Sequence, residues 1–490
     1  MCFKVCQPRD FNYKRNRDIH SYIDGDDSGE KKFYLFQFPD EPEFDENEVG
    51  KPLIITDYIR RNQTAEGASE SLVYGVGPDD EDDLVSYSGF LRIDDILDSN
   101  LFFWFFPSCH PHPGSRPLII WLQGGPGTTS LYGLFKEIGP FLSKSRTIPS
   151  TEPFLTLNPF SWHKEANILF IDNPIGTGFS FTKNVTSGYH IKQKSIAIDL
   201  GNFLEQFALL YPHYLPDWSD EFPIQLYLFG ESYGGTHVIS LAKHILENPI
   251  VNMNLTGVGI GNGWISPSNH VSYSDFLKNL GLIKKQTYQI LHRNEKIVLD
   301  LIEQGKFKRA NDHRQNVLTD ILALLSYTNA YDITKSQSDL TMWDFWPYIQ
   351  KPIVRKALHV GNLHFSDGLR VIHELGSSIM MDQIDALGIV LNSGVDVLIY
   401  HGMFDLILPL SGVSQALENT LEWKGKKSWL TAPRKSYWYR VSETSESQLL
   451  GYIQKAAGLS FVIVRNCGHM VPIDQPAWMF QILKDFLTKK

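Results

Sequence analysis

An α/β architecture, a mixed and mostly parallel sheet flanked by helices, follows from three features of the chain. Short continuous apolar runs recur from about residue 100 to residue 464, the mark of strands covered on both faces rather than one. Segments of helical periodicity alternate with them. Between about 265 and 350 the strand rhythm stops and a helical stretch replaces it.

The expected strands, in order, are Leu101–Phe106, Leu118–Leu122, Ile168–Ile171, Gln225–Phe229, Val258–Ile260, Val397–Tyr400 and Phe461–Val464. After the fourth, Val238, Leu241, Ala242 and Ile245 fall at i, i+3, i+4 and i+7, so a helix buries that face. Met479, Ile482, Leu483 and Phe486 repeat the spacing near the C-terminus, with Pro476 near the helix start. Val317, Leu318, Ile321, Leu324 and Leu325 place helix inside the 265–350 interruption. A helical insertion over the end of a sheet makes a cap. Sheet pattern on both sides of it argues for one interrupted domain over residues 51–490. Residues 1–50 are polar, acidic from Asp24 to Glu48, and read as a weakly ordered extension. Asp79-Asp80-Glu81-Asp82-Asp83 reads as a solvated loop.

Composition narrows the function. The 490 residues are 42% hydrophobic and 13% aromatic, enough for a large core and unlike a disordered chain. A formal net charge of −10 argues against nucleic acid as a partner. No run approaches the roughly 18 apolar residues of a membrane span. The four cysteines, Cys2, Cys6, Cys109 and Cys467, have neither framework nor zinc-site spacing, and no cofactor is expected. The N-terminal residues have no apolar core of secretory-signal type. The sequons at Asn62, Asn184 and Asn254 favour a secretory history instead.

The chemistry begins at Gly230-Glu231-Ser232-Tyr233-Gly234. This G-x-S-x-G follows an apolar strand and opens a periodic helix, the setting in which a sharp turn projects a nucleophilic serine. Its bland reading is an ordinary strand-to-helix turn. A serine needs a base, and the base an orienting acid, in the chain order Ser, Asp or Glu, His. Of 16 histidines, only His469 lies beyond residue 401, in a loop after the strand Phe461–Val464. Asp405 follows Val397–Tyr400 and is the expected acid. His401 and His359 are alternatives that would break the order and read as structural. Trp121-Leu122-Gln123-Gly124-Gly125-Pro126-Gly127 supplies the oxyanion hole, with donors at the backbone N–H groups of Gly125 and Tyr233. Together these features predict the α/β-hydrolase fold.

Further segments turn this into a family resemblance. They are the glycine-rich loop, Glu137-Ile138-Gly139-Pro140, Asp172-Asn173-Pro174-Ile175-Gly176-Thr177-Gly178-Phe179-Ser180, Gly261-Asn262-Gly263-Trp264, Val354-Arg355-Lys356-Ala357-Leu358-His359-Val360 and Gly468-His469-Met470-Val471-Pro472. In that order, and with the elbow, they resemble the serine carboxypeptidases from about residue 51 to the C-terminus. Gly50-Lys51-Pro52-Leu53 and Asn100–Phe106 look most like the vitellogenic carboxypeptidase-like branch.

The resemblance implies a peptide or protein substrate with a free C-terminus, released residue by residue through an acyl-enzyme. It also implies that Gln123, Gly124, Glu137 and Glu231 grip the terminal carboxylate, the two glutamates sharing a proton. Two close carboxyls and a substrate carboxylate cannot all ionise, so binding should favour acidic pH. Without the family, Glu231 is equally well an elbow residue touching no ligand. Acyl transfer or ester hydrolysis with the same machinery, and a weakly active binding or stabilising partner, are the competing functions. A secretory, lysosomal or extracellular site fits the resemblance, and a homodimer stays open. Cys467, two residues before His469, is a reactive thiol or a buried inert one.

Overall fold

The computed structural model describes residues 23–25, 31–33, 42–78, 84–144, 154–214, 223–326, 329–336, 343–440 and 447–489. Most of the expected N-terminal extension, and the acidic run 79–83, lie outside these. Residues 42–50 pack on the domain: Val49 is buried, and the Arg355 guanidinium lies 4.1 Å over the Phe44 ring.

One 11-stranded sheet organises the molecule. In chain order its strands are β1 (Tyr87–Asp94), β2 (Ser99–Phe106), β3 (Leu118–Leu122), β4 (Asn167–Ile171), β5 (Phe181–Thr182) and β6 (Ile224–Glu231), followed by β7 (Met253–Gly261), β8 (Asp396–Gly402), β9 (Lys435–Tyr439), β10 (Gln448–Ala456) and β11 (Leu459–Val464). Their spatial order is β9-β10-β11-β8-β7-β6-β3-β4-β2-β1, with β5 paired to β2. From β11 to β4 every pairing is parallel. Antiparallel strands close both edges.

All the expected strands form, Leu118–Leu122 with the expected bounds and the others extended by one to five residues at an end. Within this sheet the strands not foreseen are β1, β5, β9 and β10; two small hairpin sheets outside it, Ile23–Gly25 with Lys31–Phe33 and Phe141–Ser143 with Leu155–Leu157, were not foreseen either. In β10, Gln448, Tyr452 and Lys455 are exposed or half-buried among its apolar residues, so no continuous apolar run announces it.

The core divides into one large cluster on each face of the sheet. On one face, glycines of β7 make room for aromatic rings of the neighbouring strands. A Cβ on Gly257 would sit 2.8 Å from the Tyr227 ring, and one on Gly259 or Gly261 closer still, 2.1 Å from Phe229 and 2.3 Å from Tyr400. Overfilling such a site costs about 1–3 kcal/mol, which explains why glycine interrupts a buried strand here.

Helices cover both faces. Among them are α1 (Gln193–Leu210), α2 (Gly234–Glu247), α3 (Lys285–Glu303), α4 (Phe307–Leu324), α5 (Ile384–Asn392) and α6 (Pro476–Leu487). The predicted faces of α2 and α6 are buried, apart from Phe486, which is half-buried against Tyr227 and Phe229. Between β7 and β8 the chain is helical. α3 and α4 form an antiparallel pair there, and Val317, Leu318 and Ile321 face inward. Leu324 ends α4 exposed, and Leu325 lies past it. No helix of the described residues is long and apolar enough to cross a membrane.

Candidate active site

β6 ends at Glu231 and α2 begins at Gly234, so Ser232 and Tyr233 alone make the turn. Ser232 takes φ 59°, a left-handed conformation that costs an ordinary residue about 1–3 kcal/mol. Backbone bonds hold it there: Ser232 N–H donates to Gly261 O (3.0 Å), and its carbonyl accepts from Trp264 N–H (2.8 Å) and Gly235 N–H (3.0 Å). The strained turn lifts the serine from the carboxyl end of the sheet, where β7, β8 and β11 also deliver their loops.

Two of those loops bring the expected base and acid together. His469 Nδ1 lies 2.6 Å from Asp405 Oδ2, both residues buried. The same carboxylate accepts from Asn262 Nδ2 (2.8 Å) and Leu408 N–H (3.0 Å). With Nδ1 committed to Asp405, the imidazole keeps Nε2 for proton exchange.

The glycine-rich loop presses against the elbow. A Cβ on Gly124 would lie 2.6 Å from Ser232 Cβ and 2.8 Å from Tyr233 N, so only glycine allows this approach. Among the described residues, the backbone N–H groups of Gly125 and Tyr233 donate to no acceptor. Tyr233 caps the N-terminus of α2, whose unsatisfied N–H groups and dipole favour negative charge. The loop is anchored behind by Asp172, which accepts from Thr129 Oγ1 (2.5 Å) and Ser130 N–H (3.0 Å).

Beside the elbow lies a cluster of buried polar side chains. Gln123 Nε2 donates to Glu231 Oε1 (3.0 Å) and, more weakly, to Glu137 Oε1 (3.3 Å). Gln123 Oε1 accepts from Trp121 Nε1 at 2.7 Å, which fixes which end of the amide faces the glutamates. Glu137 and Glu231 are 2% and 1% exposed, and the Oε2 atom of each is buried without a partner. Burial pushes Glu137 up to about 7. Burial, and then the charge of Glu137, push Glu231 well above the ordinary carboxylate range. One proton shared by the pair satisfies both the charge and the orphaned oxygens.

Three residues at the site had no assigned role in the sequence. Asn262 ties three loops: besides Asp405, its amide reaches Gly468 O (3.3 Å) and accepts from Gly402 N–H (3.1 Å). Tyr331 O accepts from His469 N–H (2.7 Å), and its ring lies 5.2 Å from the imidazole. Asp474 accepts from Gly468 N–H (2.8 Å) and pairs with Lys335. The signals for Asn262 were its place between glycines at a strand end and its membership of the segment Gly261-Asn262-Gly263-Trp264 in the family resemblance, neither of which gave it a role. For Tyr331 and Asp474 there was none, because their contacts join segments distant in sequence.

Neither alternative histidine enters the constellation. His401 is buried, with Nε2 donating to Leu408 O (2.8 Å), and burial lowers it to about 4. His359 turns its Nδ1 to Ser88 O (3.1 Å). Cys467 is buried and unpaired, and burial pushes its thiol well up, which leaves it inert at neutral pH.

The serine carboxypeptidase family profile matches residues 78–489. The venom serine carboxypeptidase of Apis mellifera is 33% identical over 467 residues, spanning 92% of this chain and 93% of that protein. The probable serine carboxypeptidase CPVL of Homo sapiens is 33% identical over 461 residues, 90% of each chain. The vitellogenic carboxypeptidase of Aedes aegypti is 31% identical, spanning 90% of this chain and 91% of its own. Among solved structures, the prohormone-processing carboxypeptidase Kex1 of Saccharomyces cerevisiae superposes with a TM-score of 0.73 at 26% identity, covering 86% of this chain and 96% of that one. The sheet order, the elbow and these matches agree: this chain has the α/β-hydrolase fold and belongs to the serine carboxypeptidase family.

Proposed function

We propose that this chain removes C-terminal residues from peptides, with Ser232 as nucleophile, His469 as base and Asp405 as its orienting acid. Ser232 Oγ attacks the last peptide carbonyl while His469 Nε2 takes its proton. The oxyanion is met by the N–H groups of Gly125 and Tyr233. The imidazolium then protonates the leaving amine, and water, deprotonated by the same histidine, releases the acyl group.

The observation that carries an exopeptidase rather than a general hydrolase is the buried trio Gln123, Glu137 and Glu231 beside the elbow. The Gly124 N–H, a protonated carboxyl and the Gln123 amide, once it gives up its weak 3.3 Å bond to Glu137, form a donor set for a carboxylate. Among the described residues the Oε2 atoms have no other partner, so the proton they share is free to turn to a substrate carboxylate. The sign of the pH dependence follows. A carboxylate binds while the pair holds its proton, and binding is lost as pH rises through about 7. Acidic media are therefore favoured.

The test is hydrolysis of N-blocked dipeptides with free and with amidated C-termini at pH 5 and 7, with Ser232→Ala as control. Equal cleavage of the amidated peptides sinks the exopeptidase reading. Passage through the secretory pathway is part of the proposal, supported by exposed positions for Asn62, Asn184 and Asn254. A glycosidase-sensitive mobility shift, absent in the triple Asn→Gln variant, tests it. The helices of residues 265–350 are proposed as a cap lining the side-chain pockets.

A further inference from the structure

α4 buries Ala310, Asn311, Val317, Leu318 and Ile321, and in the middle of that inward face stands Arg314. The residue is 7% exposed. Its Nε donates to Tyr273 Oη (2.8 Å), and its guanidinium carbon lies 4.3 Å above the Trp264 ring. Among the described residues it has no carboxylate partner and no acceptor for its terminal nitrogens. The neighbouring carboxyls are engaged elsewhere. Glu295 accepts from Ser274 N–H (2.6 Å) and Oγ (2.5 Å), and Asp405 holds His469. A buried cation without a counter-charge is costly, and a ring face with one neutral hydroxyl offsets only part of that cost.

Its place in the sheet gives the charge a purpose. Trp264, the ring beneath the guanidinium, donates its backbone N–H to Ser232 O. β6 carries Ser232 between β3 and β7. The carboxylate-gripping amide, Gln123, follows β3, and Trp264 follows β7. A peptide straddling Ser232 with its C-terminal residue toward β3 therefore presents its acyl-side residue toward β7. From this arrangement we infer that Arg314 selects substrates whose penultimate residue is acidic, its guanidinium pairing with that side-chain carboxylate. The inference rests on the exopeptidase reading for the direction in which the peptide lies.

The experiment uses N-blocked dipeptides ending in phenylalanine, with glutamate, glutamine or leucine before it, each as free acid and as amide. Wild-type kcat/KM for glutamate exceeds that for glutamine by about tenfold or more, as a charge-assisted bond requires. Arg314→Gln brings the ratio near one. Arg314→Lys keeps part of it, and Tyr273→Phe, which frees the guanidinium from its tether, lowers it. A wild-type ratio near one overturns the inference without any variant, as does a ratio that survives in Arg314→Gln. The two readings fail separately. Indiscriminate cleavage of free acids overturns only the role of Arg314. Equal cleavage of amides overturns the exopeptidase, while a surviving glutamate preference still upholds Arg314. Should nothing be turned over, calorimetric binding to Ser232→Ala decides: tighter glutamate than glutamine peptide supports the inference, and equal affinities end it.

Discussion

His469 Nδ1 and Asp405 Oδ2 stand 2.6 Å apart, and the same carboxylate also accepts from Asn262 and Leu408. Asp405 is thus held by three bonds as an acceptor toward His469 and permits one imidazole tautomer. Asp405→Asn presents an N–H or a weaker acceptor to Nδ1 and spoils that tautomer. The expected result is a loss of about 10³–10⁴ in kcat with KM little changed. Steady-state kinetics on a free-acid dipeptide check it. A comparable rise in KM would mean that Asp405 shapes the binding site instead.

The glutamate pair has two consequences of one sign. Both carboxyls are raised in the folded protein above an unfolded value of about 4.5. The folded state therefore holds more protons between that value and about 7, and the pair's contribution to stability falls as pH rises through this window. Substrate binding is lost in the same direction. In Glu231→Gln an amide donor replaces the shared proton, and a single carboxyl remains to repel the substrate. The variant should bind free-acid peptides more tightly than wild type at pH 8 and no better at pH 5. KM profiles from pH 4.5 to 8.5 decide this. Parallel profiles would remove the shared proton from the account.

Asn262 fastens the acid, the Gly402 turn and the Gly468 carbonyl with one amide. Asn262→Ala leaves Asp405 with one donor fewer and unties the His469 loop. A buried acceptor left unmade costs about 1–3 kcal/mol. Melting temperature should fall and kcat should drop by about 10–10², with the KM of free-acid peptides within a few-fold of wild type. A variant as active as wild type would assign Asn262 to folding alone.

How far the site could be read from the sequence depended on whether its parts are local. The elbow at Ser232 is a local event: an apolar strand, a turn between glycines, a periodic helix. His469 was legible by elimination and Asp405 by its place after a strand. Glu137 was not legible from local pattern, because only the folding of a π-type turn, Gly133–Glu137, brings it to Gln123 and Glu231. The family resemblance supplied it. The central parallel strands announced themselves as apolar runs, while the outer antiparallel strands β9 and β10 mix exposed lysine, glutamine and tyrosine into their sequence. Arg314 is invisible in the sequence, since a basic residue at helical spacing is ordinarily solvated and its burial depends on Trp264 and Tyr273 from another segment.

Cys467 tests the environment of the base loop without disturbing it. Its thiol is buried, donates to Val464 O (3.4 Å) and is pushed well up by burial. Cys109 is exposed. Alkylation of the native protein at pH 7.5, read by peptide mass mapping, should label Cys109 and spare Cys467 until denaturant is added. Rapid labelling of Cys467 would mean that the loop carrying His469 opens in the native state.

The segment 329–336 straps the loops that carry Asp405 and His469. Ala330 O accepts from Leu406 N–H (3.2 Å) and Ile407 N–H (3.1 Å), Ile333 N–H donates to Phe404 O (3.1 Å), and Tyr331 O accepts from His469 N–H. Lys335 completes the strap by pairing with Asp474, which holds Gly468 N–H, and with Asp332 at 3.4 Å. Asp405 and His469 are therefore registered by a third segment, and on the proposed mechanism loosening it should cost alignment rather than substrate affinity. In Asp474→Asn the side-chain oxygen still accepts from Gly468 while the negative charge facing Lys335 is lost. In Asp474→Ala both bonds go. The expected order in kcat is wild type, then Asn, then Ala, with the Ala variant down about 10–10² and KM nearly constant, because misplacing a base by a fraction of an ångström acts on the transition state. If Asn and Ala fall equally, the ion pair with Lys335, and not the bond to Gly468, holds the base loop.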